Sequence, residues 1–164
     1  MNKITFVITR EELYKRIYTT SAHIVRARET MGIPSSICER MLITADEKQT
    51  VVPLVDDSVN EVIAEITLYH PGSYVDFTMN EEGGSYNFVL RVPNNFPSGN
   101  EEKLSHCIKS YIADRTLQSW YTIIKPDEAA IIATKAQNDA VTMRMLLTQR
   151  EKPSHKDQHT NNTL

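Results

Sequence analysis

The stretch Ser73-Tyr74-Val75-Asp76-Phe77-Thr78-Met79-Asn80-Glu81-Glu82-Gly83-Gly84-Ser85-Tyr86-Asn87-Phe88-Val89-Leu90-Arg91-Val92 decides the fold. Val75, Phe77 and Met79 alternate with their neighbours, and Tyr86, Phe88, Leu90 and Val92 do the same further on. A period of two puts such side chains on one face of a strand. Gly83 and Gly84 lie between the runs and can take the positive φ angles of a tight connection. The reading is a β-hairpin over residues 73–92, closed by Pro93. A hairpin alone is marginally stable in water, so its apolar face must cover helices or meet another chain.

Both flanks read as helix. Upstream, Lys3 to Thr9 alternates Ile4, Phe6 and Ile8, a short strand pattern, and Thr9 with Glu12 makes a T-x-x-E capping box. Leu13, Ile17, Thr20 and Ile24 then form a helical stripe, widened by Tyr14, Tyr18 and Val25, up to Gly32 and Pro34. Residues 35–43 fit either a helical turn or an extended piece. Thr44 and Glu47 repeat the capping box, and Val51, Val55, Val59, Val62, Ile63 and Ile66 follow at three- and four-residue steps. Pro53 interrupts that pattern, so a kink or break is expected near residues 50–57, with Asp56 or Asp57 capping the restart.

Downstream, residues 101–124 carry Leu104, Ile108, Tyr111, Ile112, Trp120 and Ile124 on one face. Pro126, Asp127 and Glu128 suit the start of a second helix over 127–150, whose small residues include Ala129, Ala133, Ala136 and Ala140. So short a connection makes the two helices antiparallel. Trp120 is expected to be the core anchor against the alanine row. The fold class is therefore mainly α with a β-hairpin (α+β): a helical bundle with an antiparallel C-terminal helix pair and a polar C-terminal arm. Residues 1–152 read as a single helical-bundle domain with the hairpin at 73–92, and residues 153–164 as a polar tail or assembly arm.

Composition narrows the function. The 164 residues are 40% apolar and 24% charged, enough to bury a core. Apolar runs stop at five residues, Ala129–Ala133, far short of the ~20 of a membrane span. The opening MNKITFVITR has no apolar leader core, so secretion is not expected. Cys38 and Cys107 form no CxxC and read as reduced thiols. A net charge of −3 argues against a dedicated nucleic-acid binder. The charge is segregated, however: +3 over residues 1–40, −8 over 41–82 and +2 over 83–164. Such segregation suits either differently solvated faces or head-to-tail contacts between copies.

Catalytic signatures are missing. No Walker A, GxGxxG, GxSxG or HExxH sequence occurs. His155 and His159 stand four apart, as ligands on a helix would, but without a third ligand nearby. Acidic pairs such as Asp56-Asp57, Glu101-Glu102 and Asp127-Glu128 sit at expected helix starts, where the helix dipole accounts for them. No catalytic, cofactor or metal residue is assigned, and the chain reads as a non-enzyme.

The order of elements resembles the small head–tail connector (neck or adaptor) proteins of tailed bacteriophages. The resemblance runs from Thr44 to Pro153. It is carried by ADEKQTVVPLVDDSVNEVIAEITLY, the hairpin, and YIADRTLQSWYTIIKPDEAAIIATKAQNDAVTMRMLLTQREKP, in which a tryptophan-bearing helix leads to an alanine-rich one ending in Arg150-Glu151-Lys152-Pro153. The resemblance implies a structural virion component, assembled in the host cytoplasm. It implies a homo-oligomeric ring, commonly of twelve copies, stacked on the portal beside other neck or tail proteins. Such a ring forms part of the channel through which DNA passes, with no membrane and no cofactor involved. Asp56, Asp57 and Glu61 of the acidic segment, Tyr86 and Phe88 of the hairpin, and Arg150 and Lys152 are the candidate subunit contacts. The alternative is a small regulatory or DNA-binding protein using the basic first helix, with Lys15, Arg16, Arg26 and Arg28.

Overall fold

The computed structural model describes residues 1–81 and 83–151. Lys152 and the tail at 153–164 lie outside the described residues. The order is β1 (Asn2–Thr9), α1 (Arg10–Thr30), α2 (Ser35–Met41), a 3-10 turn (Ala45–Glu47), α3 (Lys48–Tyr69), β2 (Tyr74–Thr78), β3 (Ser85–Val92), α4 (Asn100–Ile124) and α5 (Pro126–Thr148). The chain is mainly α with a small antiparallel sheet, as its patterning predicts.

The hairpin forms where alternation places it, and β1 extends it. The sheet order is β1-β3-β2, with both neighbours antiparallel to β3. Phe6 pairs with Phe88 and Ile8 with Tyr86, so the apolar residues of β1 and β3 share the face turned to the helices. The Phe6 and Phe88 rings stack with centroids 5.5 Å apart. Gly84 closes the hairpin at φ +108°, and a Cβ there would lie 2.6 Å from the Phe77 ring. Its N–H donates to Asn80 Oδ1 at 2.9 Å, and its carbonyl accepts from the Arg10 backbone N–H at 3.0 Å.

Both capping boxes form. Thr9 and Glu12 exchange hydrogen bonds at the start of α1, and Thr44 and Glu47 do so at the 3-10 turn that leads into α3. α3 then runs through Pro53 as one helix, so of the expected kink or break there is no break. The missing proline N–H removes one hydrogen bond, at an exposed position in the second turn. On either side of it, Val51, Val55, Val59, Val62 and Ile66 are all buried. Each such side chain contributes about 1.5–3 kcal/mol by leaving water, which outweighs that defect. Because the helix does not restart, Asp56 caps nothing.

α4 and α5 are antiparallel neighbours joined at Lys125, and α4 also packs against α1, α2, α3 and β1. One buried cluster links all of these elements. The core anchor of α4 is Tyr121, which is 0% exposed, and not Trp120. Tyr121 continues the buried row Leu104, Ile108, Ile112 and Leu117, whereas Trp120 points one residue off it. Trp120 is half-buried, and its indole N–H donates to the Arg40 carbonyl of α2 at 3.2 Å. Ala136 and Ala140 are buried, while Ala133 is half-buried.

Candidate functional site

The most elaborate polar cluster joins α1, α3 and the hairpin. Arg10 follows the capping Thr9, and the turn of the helix carries its side chain beneath the sheet edge. Its Nη2 donates to both Asp56 oxygens, at 2.7 and 2.9 Å, and its Nε donates to the Tyr86 hydroxyl at 3.0 Å. The Tyr86 hydroxyl donates in turn to Asp56 Oδ1. The guanidinium also lies 4.2 Å from the centroid of the Phe77 ring, a cation–π distance. Burial, then the hydrogen bond to Asp56, pushes the Tyr86 phenol well above its usual range, so it stays protonated. Burial works against the Arg10 charge, but the hydrogen bonds to Tyr86 and Asp56 more than offset it. Every group in this cluster is held by another. It can clamp the hairpin to the helices, and it presents no free acid, base or nucleophile.

The acidic helix meets its counter-charges within the chain. Besides Asp56 with Arg10, Glu61 accepts from Arg115 Nε at 2.6 Å and Glu65 from Arg144 Nε at 2.6 Å. The partners come from α1, α4 and α5, the basic segments of the sequence. Much of the sequence-level charge segregation is therefore resolved by folding. Asp46, Asp57, Asp76 and Glu81 have no cationic partner among the described residues.

The candidate subunit contacts thus separate. Asp57 and Arg150 are exposed. Glu61 is exposed but bound to Arg115, and Asp56 is engaged by Arg10 and Tyr86. Tyr86 and Phe88 are buried against the chain's own helices, at 3% and 0% exposure. Alternation along β3 turns them inward, so their side chains offer no surface to a neighbour. The exposed apolar residues of the hairpin are instead Tyr74, Phe77 and Met79, beside Leu68 and Tyr69 at the end of α3. The basic face of the first helix is also partly used: Arg10 is in the clamp, and Arg28 Nε meets Glu128 at 2.5 Å.

Other polar groups are buried in ways that quiet them. Burial raises the Asp114 carboxyl above the usual carboxylate range even though Lys135 Nζ lies 3.1 Å away. Cys107 is buried and donates to the Asp139 carbonyl at 3.2 Å, and burial pushes its thiol up to about 11. Such a thiol is protonated at neutral pH and is a poor nucleophile. Neighbouring His106 is exposed and makes no pair with it. Among the described residues no group of three or more His, Cys, Asp or Glu side chains could hold a metal ion. No helix of the described chain is long and apolar enough to cross a membrane.

Sequence reading missed the roles of Arg10 and Tyr121, and it read Phe77 only as part of the hairpin's apolar face. Arg10 meets partners 46 and 76 residues away, which no local pattern announces. Tyr121 was legible as one of two adjacent aromatics, but its phase depends on which helices surround α4. No protein-family model, no curated protein and no solved structure matches this chain.

Proposed function

We propose that this protein is a non-enzymatic structural component of a virion, a head–tail connector that assembles as a ring on the portal and forms part of the DNA channel. The supporting observation is the hairpin strand β2. Among the described residues it pairs only with β3, and the hairpin leaves Tyr74, Phe77 and Met79 exposed on a body whose other apolar stripes converge on one core. A surface of that kind suits a chain that works inside a larger assembly. Asp46, Asp57, Asp76 and Glu81 have no ion-pair partner among the described residues and are carboxylates available to a basic neighbour. Residues 153–164 serve as an arm toward the adjoining ring.

The test is reconstitution of purified chain with isolated portal rings, read by sedimentation. The reading expects several copies to travel with each portal. Deleting residues 153–164 is expected to leave the melting temperature unchanged and to abolish that attachment. Asp57→Lys is the clean charge reversal, because Asp57 is exposed and has no ion-pair partner among the described residues; it should reduce attachment without unfolding the domain. A chain that neither binds portals nor enters particles is not a connector. The DNA-binding alternative makes a different forecast: salt-sensitive binding of duplex DNA that is lost when Lys15, Arg16 and Arg26 are neutralised.

A further inference from the structure

Among the described residues the sheet has two edges with no pairing strand, and they are unequal. On β1 the inward residues Ile4 and Ile8 are buried and Phe6 is packed on the core, so the helices reach to that edge. On β2 the residues of the same face are uncovered: Val75 is half-buried, Phe77 is 43% exposed and Met79 is 67% exposed. α3 touches β2 but leaves beside it a recess of about 240 Å3, lined by Val59, Asn60, Val75 and Phe77 together with Arg10 and Asp56. Natural sheets usually blunt such an edge with lysine, proline or a bulge. Residues 74–80 contain no lysine and no proline, and their single charge is Asp76.

We infer that the free edge of β2 pairs with β2 of a second copy, antiparallel about a two-fold axis, in a register centred on Phe77. The strand's own chemistry favours this register over its neighbours; centring on Thr78, for example, sets Val75 against the Glu81 carboxylate. A two-fold perpendicular to the sheet keeps each residue on its own face, so only registers centred on a residue are allowed. Centring on Asp76 sets two carboxylates directly opposite each other, which destabilises a ladder. Centring on Val75 sets Asp76 against Tyr74 and leaves Met79 beyond the paired segment. Centring on Phe77 sets Phe77 against its copy and Val75 against Met79 on one face. On the other face it sets Asp76 against Thr78 and Tyr74 against Asn80. Apolar meets apolar, the carboxylate meets a hydroxyl, and the Met79 side chain of one copy comes to the mouth of the recess beside Val75 of the other. The two three-stranded sheets become one of six strands.

This contact goes beyond the ring reading and does not depend on it. A two-fold pair is a state of the free chain in solution, and its test involves no portal. The paired segment is short, so the interface belongs at the small, weak end of the size range. It is expected to dissociate in the range of about 1–100 µM.

The experiment is sedimentation equilibrium of the full chain up to about 500 µM, where a mass of twice 18.7 kDa is expected. Met79→Lys, at an exposed position outside the β2–β3 ladder, should keep the melting temperature and weaken the dimer at least tenfold. Register is read by disulfide trapping. A mixture of Asp76→Cys and Thr78→Cys chains should give mainly the mixed disulfide, because directly opposed Cα atoms lie about 5 Å apart. Each variant alone should cross-link poorly, because like positions are then about 8 Å apart, beyond disulfide reach. The native thiols are buried and do not compete. A chain that stays monomeric throughout, including one whose edge takes only a strand of another protein, overturns the inference. So does a dimer indifferent to Met79→Lys, or one in which like positions cross-link best.

Discussion

α3 and β2 are both drawn from the acidic third of the sequence, and folding treats them in opposite ways. Asp56, Glu61 and Glu65 of α3 each meet an arginine from a different helix of the same chain. Asp76 of β2 meets none among the described residues. α3 lies among helices whose own surfaces carry the opposite charge, whereas β2 lies at the rim of the sheet with one neighbour. A run of like charge in a sequence therefore does not mark a surface waiting for a partner. What marks such a surface is charge, together with apolar side chains, that the folded chain leaves unanswered.

The sharpest way to break this comparison is at Arg10, which serves both regions. Arg10→Ala leaves the Asp56 carboxylate without its counter-charge and with only the Tyr86 hydroxyl, and it removes the cation over Phe77. Losing one partner of a buried pair costs 3–5 kcal/mol, and because Asp56 is partly solvated a loss of about 3 kcal/mol is expected in urea unfolding. A loss below about 1 kcal/mol would mean that the hairpin is held by its apolar face alone.

Glu65→Gln tests an α3 pair that is only partly buried. The expected loss is about 1 kcal/mol, shrinking in 1 M salt where the screening length is ~3 Å. A salt-independent loss would assign the effect to packing around Tyr69, over which Arg144 also lies.

His70 stands between the two regions, at the end of α3 and just before β2. It is buried, and neither ring nitrogen has a hydrogen-bond partner among the described residues. Burial lowers its pKa below the ordinary 6.5, so the folded chain keeps it neutral while the unfolded chain protonates it. Stability from this group is therefore present above pH 6.5 and falls as the pH drops toward the folded value. The unfolding midpoint of the wild type should fall between pH 7 and pH 5 by more than that of His70→Leu. Equal falls would place the acid sensitivity elsewhere.

Asp76→Asn is the smallest expected change. An unpaired surface carboxylate should contribute within about 0.5 kcal/mol of nothing to the monomer. A loss above about 1 kcal/mol would show that β2 is answered within the chain after all.

The four long helices, the hairpin and both capping boxes were legible because each is written in a local signal, a period, a cap or a pair of glycines; α2 was left open between a turn of helix and an extended piece. The unbroken α3 was not, because Pro53 is a local defect overridden by valines whose burial depends on α4. The pairing of β1 with β3 spans about half the chain, and the strand pattern at Lys3–Thr9 carries no mark of its partner. The candidate contacts follow the same division. Asp57 and Arg150 lie on the surface, as a charged residue next to a helical stripe should. Tyr86 and Phe88 were read as aromatic and therefore adhesive, but only the pairing of β1 with β3 shows that their face is already covered.

Gly84 sets a direction on how this hairpin can drift over generations of substitution. Its missing Cβ makes room for the Phe77 ring, which suggests that the two positions vary as a pair. They do not do so symmetrically. Phe77 can shrink to leucine or valine in one step, giving up its contact with Arg10, and the backbone permits it. Gly84 gains nothing from that step, because φ +108° remains closed to any side chain once the ring has gone. Descendants of this sequence can lose the aromatic at 77 and regain it, while the residue that made room for it stays fixed.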